Sequence, residues 1–365
     1  MSFQMIRDSL LQEKKTGKQW HNPSLFFDKG FEEWDKENST IRGEDIGKHL
    51  EEVCNIPVSP VYKFAYRRWL GETADENHFA RWFGQLDGTR LFIGLGMAHV
   101  LETQVCRHPV YGIPYIPGSA LKGLARAKAR EYADKGEYGM NQGIVNILFG
   151  PDCNDPKNPD IEADTGYLIF HDAWWVPGGE EGGSENKPYV PEIVTVHAVE
   201  YYKNKGENAP HPDMESPNPN QQLAVQGSFY FVVEGVPQWA ELGRKFLTLA
   251  LEADGIGGKV AAGYGYFVED AKVTRKNAEA TMTPAERIRS VVDSWDIDKT
   301  LPVKIGKKYT KTKEELGKFG KDAWEIAVEY ILDIHGDEIR SWKDEPKNTA
   351  KRKAFNKLTQ DKNEI

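Results

Sequence analysis

DGIGGKVAAGYGYF, residues 254–267, and YGIPYIPGSALKGLAR, residues 111–126, are the two stretches around which this chain is organised. The first sets five glycines (Gly255, Gly257, Gly258, Gly263, Gly265) around Lys259. Glycine lacks a Cβ, so backbone can take positive φ and a charged ligand can lie directly against N–H groups. Lys259 adds a point charge suited to phosphate. The familiar nucleotide motifs do not fit. A dinucleotide fingerprint places its glycines after a strand and before a helix. Here residues 237–253 carry helical spacing (Trp239, Leu242, Phe246, Leu249, Ala250, Ala253) and residues 264–268 read as a strand, so the order is reversed. A P-loop needs glycine where Ala253 stands and Ser or Thr where Val260 stands. A plain helix C-cap running into a tight turn accounts for some of the glycines but not all.

The second stretch has another logic. Pro114 and Pro117 hold the chain extended, Gly118 turns it, and Ser119 is a candidate N-cap for a helix over about 120–133. Lys122, Arg126 and Arg130 then share one face, while Leu121, Leu124 and Ala125 turn inward. A helix N-terminus with open N–H groups and a basic stripe is an anion site. Seen alone, the stripe is equally a solvated helix face.

With 365 residues, two domains or one decorated domain are expected. No run approaches the roughly eighteen apolar residues of a membrane span, and the first residues lack a signal-peptide pattern. Cys54, Cys106 and Cys153 are far apart and form no CxxC pair, which fits a reducing cytoplasm without a disulfide framework or cysteine zinc site. The net charge of −9 argues against a free-standing basic nucleic-acid binder. The charge is uneven: residues 1–270 hold 26 basic and 39 acidic side chains, residues 271–365 hold 21 and 17.

Along the chain, residues 1–56 read as two or three short helices packed on the core, one of them over 43–54. Residues 61–70 and 89–99 read as strands, joined by a polar connection over 71–88. Gly94 and Gly96 leave one face of the second strand bare, the mark of close backbone approach or a bulge. A short helix over 139–149, a strand over 166–175, a flexible insertion over 176–191, a strand over 192–202 and another over 225–234 follow. Residues 203–222 hold four prolines and read as a long loop. The core order is strand, strand, helix, strand, strand, strand, helix, strand, compatible with an α+β, ferredoxin-like domain over 57–270 with an insertion near 174–222. Residues 271–365 read as a helical appendage, with Thr283, Pro284 and Glu286 forming a capping signal.

Candidate acids and bases are His99, Glu102, His108, His171, Asp172, His197, His211 and Asp213. His171 and Asp172 are neighbours on a strand and point to opposite faces, so they form no dyad. A pair of His197 with Asp172 is geometrically open and would suit cleavage through an RNA 2′-hydroxyl. No HxH or HExxH spacing appears, and neither a metal nor a cofactor is expected.

IPGSALKGLAR over 116–126, followed by GIGGKVAAGYGYF over 255–267, resembles the RAMP superfamily of CRISPR effector subunits. Within it the chain is most similar to the sixth-subunit family of the type III-B Cmr complexes. Gly94-Leu95-Gly96 with Leu101-Glu102-Thr103, Phe170-His171-Asp172-Ala173, and Thr195-Val196-His197 leading into Tyr201-Tyr202 support that choice. The resemblance covers residues 60–270 and implies an RNA-recognition-type, ferredoxin-like fold. It implies guide RNA, target RNA and other RAMP subunits of a Cmr complex as partners, and no membrane. Gly118, Ser119, Lys122, Arg126, Gly255, Gly257, Gly258 and Lys259 would hold phosphates. His197, Tyr201, Tyr202 and Lys203 would begin a thumb-like extension over 201–219 between guide and target. Cutting RAMP subunits carry an aspartate before the proline-glycine-serine helix, and Glu102 stands at the comparable position, so no catalysis is expected. A guide-processing endoribonuclease using His197 or His211, and a purely architectural subunit, are the alternatives.

Overall fold

The structure, a computed structural model, describes residues 2–4, 6–16, 20–35, 43–97, 99–151, 164–180, 182–183, 185–196, 218–281 and 283–361. They fall into two compact units, Met1–Arg275 and Lys276–Ile365.

In the first unit a small ribbon pairs β1 (Ser2–Gln4) with β2 (Glu33–Asp35), and α1 (Asp8–Lys15), α2 (Pro23–Lys29) and α3 (Gly43–Asn55) join it. The next element corrects the reading of residues 61–70 as a strand. They form α4 (Pro60–Glu72), with Pro60 in the first turn and the Ser59 side chain accepting from Val61 N at 3.2 Å. That is a helix start by chemistry, since proline loses nothing at a position whose N–H has no helical partner.

The main sheet is antiparallel throughout, in the order β10-β3-β9-β6-β4. Its strands are β3 (Phe79–Leu86), β4 (Tyr115–Ile116), β6 (Ala173–Trp175), β9 (Ser228–Glu234) and β10 (Phe267–Glu269), and β5 (Ile169–Phe170) also pairs with β9. β3 lies inside the supposed polar connection 71–88. It is a central strand with both faces buried at Arg81, Trp82 and Phe83, so no alternation marks it. The described residues of 89–99 make isolated bridges only, Leu91 to Val225 and Phe92 to Gly258. Gly94, at φ 94°, turns that segment out of the ladder.

Both sheet faces are covered. On one side lie α5 (Gly118–Lys135) and α7 (Pro237–Ala253), whose Tyr132 and Phe246 rings meet at 5.8 Å. Between them in sequence runs α6 (Gln142–Phe149). On the other side α4 sets Tyr66 against Tyr230 at 6.4 Å, and Tyr62 donates to the Trp175 carbonyl at 2.6 Å. A separate hairpin pairs β7 (Tyr189–Val196) with β8 (Asn218–Val225), so the end of the expected 203–222 loop is strand.

The second unit has its own core around Ile288, Leu301, Ile305, Ala327, Ile331 and Leu358. Its helices follow α8 (Ala271–Thr281): α9 (Pro284–Asp293), α10 (Tyr309–Gly317), α11 (Ala323–Ser341) and α12 (Ala350–Asp361). The capping box of Thr283 and Glu286 forms as its chemistry requires.

Candidate functional site

The start of α5 is held shut by the protein itself. Pro117, not Ser119, is the N-cap residue, and it offers no side-chain cap. Instead Asp172, in the turn between β5 and β6, accepts the Gly118 N–H on Oδ1 at 2.7 Å. Ser119 is exposed in the first turn. Gly118 is glycine because a Cβ would be driven into the Phe170 carbonyl oxygen. An internal carboxylate thus takes the Gly118 N–H and lies at the positive end of the helix dipole, where the sequence reading leaves the N–H groups open.

Farther along α5, Leu121, Ala125 and Ala129 are buried, and Lys122, Arg126 and Arg130 border them half-buried. Burial, and then the neighbouring Arg126 charge, push the Lys122 ammonium below its ordinary pKa. No carboxylate pairs with Lys122 among the described residues. One turn on, buried Lys128 reaches Asp254 at 2.7 Å and Glu131 at 2.9 Å. Hydrogen bonds from Lys135 and Lys128 pull the Glu131 carboxyl down to about 2.

Asp254 opens the glycine loop, which the structure explains differently from the sequence. The N–H groups of Gly255, Gly258, Gly263 and Gly265 donate to the carbonyls of Ala250, Phe92, Val260 and Arg90, so none of these four is turned toward a ligand. A Cβ at Gly257 (φ 91°) would strike the Phe92 carbonyl, and one at Gly265 (φ 79°) the Ile256 carbonyl. Only Gly263 of the five faces open space. These glycines let backbone pack on backbone. Lys259 is the exception: it is exposed, in the left-handed region at φ 64°, with no acidic partner among the described residues.

The two stretches do meet. Gly258 N donates to Phe92 O at 2.7 Å, Cys106 N to Ile93 O at 2.8 Å, and Tyr115 N to Cys106 O at 3.2 Å. Three backbone rungs thus join the glycine loop to the strand that feeds α5. The Lys128–Asp254 ion pair ties the same loop to the side of that helix.

His197, Tyr201, Tyr202 and Lys203 lie outside the described residues, as do His211 and Asp213. His171 pairs with Glu234 at 2.8 Å and meets the Trp69 ring at 5.2 Å, away from Asp172's role at α5. Glu102 is exposed at φ 55°, and its carbonyl accepts from Gln222 Nε2 at 3.2 Å. Thr103 Oγ1 accepts from Leu223 N at 2.9 Å, so this segment braces the base of the β7–β8 hairpin. Among the described residues no cluster of three His, Cys, Asp or Glu side chains is placed to hold a metal ion. Sequence reasoning missed Asp172 as a cap and Lys128 as a tether. Neither was visible without the fold, since their partners lie 54 and 126 positions away.

Residues 88–268 match the RAMP superfamily profile. The CRISPR system Cmr subunit Cmr6 of Pyrococcus furiosus is 29% identical over 226 residues, which is 50% of this chain and 65% of that relative's length. A chain in the cryo-EM structure of the type III-B Cmr-beta bound to cognate target RNA is similar at 15% identity and a TM-score of 0.46, over 72% of this chain and 87% of that one. The crystal structure of Cmr6 from Pyrococcus furiosus is similar at 24% identity and a TM-score of 0.30, over 53% of this chain and 98% of that one. No helix among the described residues is long and apolar enough to cross a membrane. Residues 88–268, just under half of the chain, are a RAMP superfamily domain.

Proposed function

We propose that this chain is a Cmr6-like, non-cutting subunit of a type III-B CRISPR ribonucleoprotein, holding guide RNA near its 3′ end by the sugar-phosphate backbone. The observation that carries this reading is the Lys122–Arg126 pair. Two like charges sit half-buried on one face of α5, and the Lys122 ammonium is disfavoured there without an anion. Exposed Lys259 adds a positive charge on the glycine loop, which the backbone rungs join to the strand that feeds α5. Phosphate contacts of this kind read no bases, which a subunit carrying interchangeable guides requires.

The sheet order supports a ferredoxin-like core. Taking β3, β6, β9 and β10 as the first to fourth strands, with α5 and α7 as the two helices, gives a split βαβ arrangement with strand order 4-1-3-2. The usual RNA-recognition domain stacks bases on its open sheet face. Here α4 covers that face and leaves Tyr230 and Phe83 no more than 1% exposed, which favours an RNA path along α5 and the glycine loop. The β7–β8 hairpin, braced at Thr103, is the proposed root of the thumb-like extension.

Glu102 supports a non-cutting role: the carboxylate at the comparable position is one methylene longer than aspartate and sits on a left-handed backbone. Glu102→Ala should leave cleavage of target RNA by the assembled complex intact. Loss of one cleavage product alone would assign Glu102 to a cutting site.

One surface favours contacts with neighbouring subunits as well. Tyr167, Ile169 and Val236 are 64%, 52% and 53% exposed, and Tyr167 meets Trp239 edge-on at 5.2 Å. Such adjoining apolar side chains mark a protein-binding surface. Ile169→Asp should lower incorporation into the complex without changing RNA affinity of the free chain.

A further inference from the structure

The second unit carries a charge cluster that the RAMP domain does not account for. Residues 303–307 form a wide π-type turn, in which Lys308 N donates to Val303 O at 2.9 Å. Gly306 lets α12 press against this turn: a Cβ there would sit 3.0 Å from Ala354 N and 3.2 Å from Lys353 Cβ. Lys307 and Lys308 leave the turn, Lys353 lies across from it, and Lys313 and Lys357 close over the Tyr309 ring with Nζ at 5.7 and 4.7 Å from its centroid. Tyr309 in turn meets Trp324 edge-on at 5.0 Å.

Among the described residues none of these five lysines has a carboxylate in ion-pair reach. Glu315 and Asp298 are occupied by Lys304 at 3.0 Å and Lys351 at 2.7 Å. Lys313 and Lys357 lie over the half-buried Tyr309 ring, and Lys307, Lys308 and Lys353 come from the turn just before it and the helix packed on that turn, so this stretch carries positive charge that gains from a polyanion.

We infer that this face of the Lys276–Ile365 unit binds single-stranded RNA, independently of sequence. Evenly spaced phosphates match a cluster of flexible point charges, and Lys313 and Lys357 can turn from the half-buried Tyr309 ring to phosphates and leave the ring to a base. An acidic peptide matches the charge but brings no flat π-face for Tyr309. The inference concerns a different surface from the one proposed on α5.

The test uses the full-length chain and a fluorescent oligouridylate, followed by anisotropy across a salt series. The variant K307Q/K308Q/K353Q/K357Q changes exposed or half-buried lysines and should fold as the parent does. It should bind about tenfold more weakly at low salt, with the slope of log K against log salt reduced by about 3, near 0.7 per phosphate contact. Parental affinity and slope in this variant overturn the inference. Poly-glutamate that competes as well as unlabelled oligouridylate also overturns it, because the face then takes acidic protein. A parallel variant, K122M/K259A, separates the two surfaces: loss only in this variant leaves the α5 reading standing and removes this one. Loss only in the lysine-cluster variant does the reverse.

Discussion

The carboxylate of Asp172 lies 2.7 Å from the backbone nitrogen of Gly118 and closes the start of α5. A phosphate approaching that helix end meets a negative charge first. Asp172→Asn keeps an acceptor for the N–H and removes the charge. RNA binding at low salt should tighten by about threefold or more, with Tm lowered by less than about 2 °C. Unchanged affinity would place the RNA path away from this helix end.

Lys122 has a cost in the folded protein that an anion should relieve. Its folded pKa lies below the ordinary 10.5, through burial first and the Arg126 charge second. The unfolded chain therefore holds the proton more tightly, and the destabilisation is fully present at neutral pH. It fades only as pH rises through the depressed folded value toward 10.5. Lys122→Met should raise Tm by about 1–2 °C at neutral pH and lower RNA affinity. RNA should also raise the variant's Tm less than the parent's. A variant that is less stable and binds normally would make Lys122 a structural residue.

The glycines of the loop make separable predictions. Gly257→Ala forces a Cβ into the Phe92 carbonyl at positive φ and should cost more than about 2 kcal/mol in urea denaturation. Gly263→Ala has the same φ of 91° but open space, and should cost about 1 kcal/mol. Equal costs would mean that the loop does not rest on the Phe92 carbonyl as described.

The Lys128–Asp254 tether holds the loop to α5, with Lys128 buried and Asp254 half in water. Lys128→Met should cost about 1 kcal/mol, discounted because water screens one partner. It should also speed amide exchange at Gly255 and Gly258. Exchange unchanged at both amides would show the backbone rungs alone fix the loop.

Much of this fold was legible where local chemistry decides. The helices α5 and α7 follow from apolar spacing, and α9 from its Thr283–Glu286 box. The failures have physical causes. VYKFAYRRWL looks like a strand by composition, yet Ser59-Pro60 before it and Tyr62, Tyr66 and Trp69 along it spell a helix with one buried face. FARWFGQL is buried on both sides, so it lacks the alternation that would have marked β3. At the site, composition showed a glycine loop but not its purpose. Only the positions of Phe92 and Ile256 show that the missing side chains make room for backbone.

The most direct test is cross-linking of guide RNA in the assembled complex with Lys122→Ala and Lys259→Ala combined. The account predicts that the guide cross-link at this subunit falls sharply while the subunit is incorporated normally. It also predicts that the salt slope of guide binding drops by about 0.7 for each lost contact. A parental cross-link yield with a parental salt slope would contradict it.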